Sequence, residues 1–164
     1  SRGLGDVYKR QVLMMLAFTS MAAAAPSQVN RSMTAINAAK AEIPAVCELV
    51  GYNVDGDTSI ITFKDPNTLE RYVVDVNTAT AKVQEIEVKG ATFVMGSTMV
   101  TKTPDDIEKI VLKNYPNAYE IVITQGQDGN NIYYIADFLT DKFDGELKLD
   151  PVTGAICERE LEYF

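Results

Sequence analysis

The chain has 164 residues, with 15 Lys and Arg against 23 Asp and Glu, a net charge of −8, and no histidine. The missing histidine removes Ser-His-Asp triads, Cys-His pairs and every His-ligated metal site, and the acidic balance repels nucleic acid. The length allows one medium domain or two very small ones that must share a core or be marginal alone.

Residues 1–11, SRGLGDVYKRQ, back-translate into a sequencing adapter and are set aside. Val12 to Phe18 is an apolar run rich in Leu and Met, followed by Thr19, Ser20 and the small block Ala22 to Ala25. That form predicts a truncated signal peptide over 12–24, too short to span a bilayer and cleaved after Ala24. A buried N-terminal helix is the alternative. The expectation is an exported protein, periplasmic or extracellular, with no membrane span in the mature chain. No Cys follows the run, which disfavours a lipid anchor.

Beyond the leader the pattern occurs twice. Ala35 to Pro44 and Ile107 to Pro116 are helical in period, and each stops at a proline, which cannot continue a helix. Val46 to Val50 then corresponds to Ala118 to Val122, and Asp55-Gly56 and Asp128-Gly129 mark hairpin turns. SIITF at Ser59 lies over IYYIA at Ile132, and Val74 to Asn77 over Leu147 to Asp150. The expected organisation is two repeats, 32–89 and 103–164, joined by a connector over 90–102. The predicted fold class is α+β, each repeat being one helix packed on its own four-stranded antiparallel sheet.

In the second repeat Thr103 caps the helix, Pro104 fits its first turn, and Asp105 and Asp106 face its positive end. Ile107, Ile110, Val111 and Tyr115 make its apolar stripe; Met33, Ile36 and Ile43 do so in the first repeat. Strand alternation turns Leu49, Ile61, Phe63, Val74 and Val76 toward the helix, with Ile121, Tyr134, Leu147 and Leu149 as their equivalents. The opposite face then holds Val50, Tyr52, Ile60, Val73, Val122, Tyr133 and Ile135. Either the two sheets abut and hide that face, or it is a docking surface. The connector, with Phe93, Val94, Met95, Met99 and Val100 around Gly96, reads as an extra strand or packed crossover, or else as a mobile contact loop.

VNTATAKV at Val76 to Val83 and LDPVTGAI at Leu149 to Ile156 complete the pattern of helix, proline, strand, hairpin and strand. An Asn or Asp closing an Asx-turn, with a later Gly in left-handed backbone, returns the chain as its last strand. Together these resemble the PepSY domain, with Ala81 standing where the family usually has the Gly that Gly154 retains. The tandem arrangement also resembles β-lactamase-inhibitor-like exported proteins, whose helix-plus-sheet repeats present a sheet to a partner enzyme. PepSY domains accompany secreted metallopeptidases, so the resemblance implies an inhibitor or regulator acting on a separate enzyme.

The chemistry available is sparse. Glu48 and Glu120 are the best carboxylate pair for glycoside hydrolysis, weighed against two solvated strand residues. Asn53, Asp55 and Asp57 in NVDGD lack the full spacing of a calcium loop and read as turn chemistry. Cys47 and Cys157 are open to disulfide formation in an exported chain, although strand parity argues against the pair unless a bulge intervenes. The expectation is a non-catalytic protein-binding module with no cofactor and no metal. Its partner would be a protein in the envelope or medium, held by Tyr52, Ile60, Val73, Tyr133 and Ile135. A structural or assembly factor of the cell envelope is the second reading, and a hydrolase with paired carboxylates the third.

Overall fold

The structure, a computed structural model, describes residues 26–90 and 95–164. The adapter, the expected leader over 12–24, and Phe93 and Val94 lie outside these. Helix α1 (Pro26–Ala41) is followed by strands β1 (Glu48–Asp55), β2 (Thr58–Lys64), β3 (Arg71–Asn77) and β4 (Val83–Lys89). Helix α2 (Pro104–Asn114) is followed by β5 (Tyr119–Asp128), β6 (Asn131–Leu139), β7 (Phe143–Leu149) and β8 (Ile156–Tyr163).

The strands do not form two sheets. They make one eight-stranded antiparallel sheet in the order β1-β2-β3-β4-β8-β7-β6-β5. The expectation of an α+β fold with two separate helix-on-sheet repeats is therefore corrected: the molecule is mostly β, with two helices on one continuous sheet. The cause is edge chemistry. Left apart, β4 and β8 would each expose a row of unpaired N–H and C=O groups. Antiparallel pairing from Glu85↔Glu162 to Lys89↔Glu158 satisfies both rows and sets Ile86 opposite Leu161. Both side chains are buried, so the core runs unbroken from one half into the other.

Helix α1 packs over β2 and β3 through Ala35 and Ala39, and α2 packs over β5 and β6 through Ile107 and Val111. Met33, expected in the α1 stripe, is exposed; alanines take the buried positions and let that helix approach closely. At α2 the capping box is formed as read. Asp106 N donates to Thr103 Oγ1 at 3.3 Å and Thr103 N donates to Asp106 Oδ2 at 3.0 Å. The Thr103 N–H, and then the Thr103 hydroxyl donating to the same Oδ2 at 3.0 Å, hold the Asp106 carboxyl below its ordinary range.

The matched turns are also local structures. Asn77 Oδ1 accepts from Ala79 N and Thr80 N, and Asp150 Oδ1 accepts from Val152 N and Thr153 N. Gly154 then takes a φ of 74°, and Ala81 is held at 55° in the equivalent place. A Cβ in left-handed backbone costs about 1–2 kcal/mol. Ala81→Gly should thus raise stability by about 0.5–1 kcal/mol, the gain being offset in part by the freer unfolded chain. Thermal unfolding of the two proteins checks this, and an unchanged or lower midpoint refutes it.

The connector is a packed crossover where it is described. Ser97 and Ile132 exchange both backbone bonds, Thr101 N and Lys102 N donate to Pro151 O, and Tyr134 Oη donates to Lys102 O at 2.8 Å. Met95 is half-buried, whereas Met99 and Val100 are exposed.

Candidate functional site

The face opposite the helices is open, and register decides what it carries. Ile60, Val73, Tyr133 and Ile135 lie on it and are half-buried. Tyr52 does not join them. Between Leu49 and Gly51 the pairing of β1 with β2 slips by one residue, leaving Val50 as the bulge. Every later side chain of β1 changes face, because strand parity has a period of two. Tyr52 thus pairs with Ile61 on the helix side, its Oη 3.2 Å from the buried Ser59 Oγ. Leu49, which precedes the slip, is on the helix side as expected, though exposed at the sheet's end.

The remaining apolar residues form two patches rather than one. Val73 and Ile60 sit on β3 and β2, Tyr133 and Ile135 on β6, with β4, β8 and β7 between. Those central strands fill the gap with acid. One row across the sheet reads Asp75, Glu85, Glu162 and Asp144; the next reads Glu87, Glu160, Glu146 and Asp137. Each residue is directly opposite the next. Like charges in such pairs are destabilising, and here six of them adjoin.

The third row carries the cations: Lys64, Arg71, Lys89 and Lys148, with Glu158 among them. Lys89 reaches Glu87 at 2.6 Å, and Lys148 reaches Glu158 at 3.3 Å and Glu146 at 3.5 Å. Asp75, Glu85, Glu162, Asp144 and Asp137 have no ion pair to a described residue. Partial burial, followed by the neighbouring carboxylates, raises the pKa of Asp75, Glu85, Asp137 and Glu160 above the ordinary range. A concavity of about 170 Å³ opens among Asp137, Asp144, Glu146, Glu160 and Glu162. Further along β6 the Tyr133 ring lies across Gly126, where a Cβ would meet ring carbons at 2.4 Å.

On the helix side, a groove of about 400 Å³ lies over the β4–β8 seam, with Pro44, Tyr72, Tyr115, Phe143 and Arg159 among its walls. Several of its polar groups are engaged with one another or with nearby side chains. Arg159 Nη1 meets Glu70 Oε1 at 3.2 Å, Tyr72 Oη donates to Glu70 Oε2, and Tyr163 Oη donates to Glu42 Oε2. The ion pair ties the two halves together across the seam.

The sequence's chemical candidates are dispersed. Glu48 and Glu120 lie on β1 and next to the bulge of β5, the two edges of the sheet, separated by roughly 30 Å at normal strand spacing. Glycoside hydrolysis needs two carboxyls within about 5–10 Å, so these two do not form that pair. Among the described residues no three His, Cys, Asp or Glu are placed to hold a metal ion. Asp55 and Asp57 flank Gly56 in an ordinary hairpin turn.

Cys47 and Cys157 are free thiols, which corrects the disulfide considered from sequence. Cys47 leads into edge strand β1 and Cys157 lies in central β8, roughly 20 Å apart by strand spacing, whereas a bridge needs Cα atoms within about 7 Å. Burial first, then nearby carboxylates, pushes both thiols up and keeps them protonated. Thiol titration after denaturation of protein prepared under oxidising conditions should find both cysteines free. Recovery of neither would restore the bridge.

The fold and this face define an antiparallel sheet protein with helices on one side and a charged open surface on the other. No family model matches the chain, and no curated protein matches it. A crystal structure described as a "putative lipoprotein" of Clostridium difficile 630 is similar at 18% identity over 78% of this chain and 90% of that one, with a TM-score of 0.32. No helix among the described residues is long and apolar enough to cross a membrane.

Proposed function

We propose that this chain is an exported, non-catalytic binding module that takes a cationic protein partner on the open face of its sheet. The observation that carries the reading is the acidic band. Two rows of carboxylates, each with its members opposite one another across four strands, work against the fold's own stability. A partner presenting Lys or Arg would relieve that repulsion, and Ile60, Val73, Tyr133 and Ile135 supply apolar contacts on either side. Export is supported by the leader-like run over 12–24, and regulation of a secreted or envelope enzyme by the resemblance to PepSY proteins.

The test compares the wild-type chain with a Glu85→Lys/Glu160→Lys variant as bait in periplasm or culture medium of the source cells. Wild type should retain a partner with a basic surface, and retention should weaken as salt rises. Equal capture by the variant, or salt-independent capture, sinks the reading. An envelope assembly role instead predicts a leaky or misassembled surface in a deletion strain, with enzyme activities unchanged.

A further inference from the structure

The two ends of the sheet are finished differently. Helix α2 covers the edge strand β5 and its neighbour, but α1 is set one strand further in, over β2 and β3, so β1 projects beyond it. Register makes the comparison residue by residue. Opposite Ala136, Tyr134 and Ile132 of β6 stand Ile123, Gln125 and Gln127. Opposite the equivalent Phe63, Ile61 and Ser59 of β2 stand Leu49, Tyr52 and Val54. The row that lacks a helix is the apolar one.

Leu49 and Val54 are 44% and 47% exposed although both point to the helix side, and Val46 and Val50 beside them are more exposed still. No charge interrupts β1 between Glu48 and Asp55, and among the described residues nothing pairs with its outer edge. Natural edge strands are normally kept short, charged or covered. Apart from its single bulge, β1 has none of these protections.

We infer that β1 receives an extended segment of the partner as a ninth strand. The added strand bonds to the free backbone row, and its alternate apolar side chains cover Leu49, Tyr52 and Val54. Charge sets its chemistry. At the turn end β1 meets Asp55 and Asp57 with no salt-bridge partner among the described residues, while Glu48 at the other end faces Lys64. The segment therefore carries Lys or Arg beside Asp55 and Asp57. A second copy fits less well, since flush antiparallel pairing of two β1 strands sets Glu48 against Asp55 at both ends. The inference rests on the cationic partner proposed above and adds where one of its strands lies.

The test is an NMR titration of the isotopically labelled chain with a capped seven-residue peptide of alternating valine and threonine, lysine at each end. Shifts and slowed amide exchange should concentrate on residues 49–55. Leu49→Gln/Val54→Gln, which makes two exposed apolar sites of β1 polar, should weaken binding about tenfold with an unchanged melting temperature. Exchanging the lysines for glutamates should weaken it to a similar degree. No perturbation of β1 at millimolar peptide, perturbation of β5 instead, or dimerisation through β1 without peptide overturns the inference. Glu85→Lys/Glu160→Lys separates the two readings: edge binding that survives it while partner capture also survives refutes the acidic face alone.

Discussion

Ile86→Ala is expected to destabilise the whole molecule by about 3 kcal/mol and to lower its melting temperature by about 10 °C in a single transition. Ile86 is 2% exposed and lies on β4 opposite Leu161 of β8, where the two halves meet. Removing its side chain leaves a cavity in a core shared by both halves. Since that core is continuous from Ala35 to Leu161, neither half has a separate folding equilibrium to fall back on. Calorimetry and amide exchange read the result. Loss of protection in β1–β4 at lower temperature than in β5–β8, or two resolved transitions, would mean that the seam does not unite the molecule.

Glu85→Gln/Glu160→Gln is expected to stabilise the protein by about 1–2 kcal/mol at neutral pH and to abolish capture of the cationic partner. Glu85 stands between Asp75 and Glu162, and Glu160 between Glu87 and Glu146, so the pair of changes relieves four like-charge contacts. The pH profile supplies the sign. Asp75, Glu85, Asp137 and Glu160 have raised folded-state pKa values, so in mildly acidic solution the native protein holds protons that the unfolded chain has released. Stability of the wild type should therefore rise as pH falls from about 7 towards about 5. Below about pH 4 the trend should reverse. Asp106 and Asp150 are held below the ordinary range by their cap and turn bonds, against the burial that opposes this at Asp150, and their contribution is lost as they protonate. The variant should show a flatter rise between pH 7 and 5. A wild type that weakens steadily over that interval, or a variant no more stable at pH 7, would remove the repulsion on which the proposed function depends.

In the proposed function, cost and binding meet on the same residues. A sheet meant only to be stable would alternate the signs of its cross-strand pairs, as Lys89, Glu158 and Lys148 do in the third row, although Lys64, Arg71 and Lys89 of the same row do not. The two acidic rows do not alternate. On the proposed reading, these unrelieved carboxylates are the surface offered to the partner.

Features set by a few neighbouring residues were legible in the sequence. The Thr103 cap with Pro104 and Asp106, the Asx-turns at Asn77 and Asp150, the hairpins at Gly56 and Gly129, and the inward rows Ile61, Phe63, Val74, Val76 and Tyr134, Leu147, Leu149 all follow from hydrogen bonds or alternation within one element. The absence of histidine chemistry likewise needs no coordinates. What escaped were relations between distant residues. Nothing near Val50 announces the bulge, yet that one extra residue carries Tyr52 to the other side of the sheet. Asp75, Glu85, Glu160 and Asp137 look like ordinary solvated strand positions one at a time, and become a band only when β4 pairs with β8. Composition, turns and periodicity thus determined the elements and their inward faces, because those depend on short-range backbone geometry. Strand neighbours and register were decided by the tertiary structure alone, because they depend on which unpaired edges meet, and that meeting created both the shared core and the acidic face.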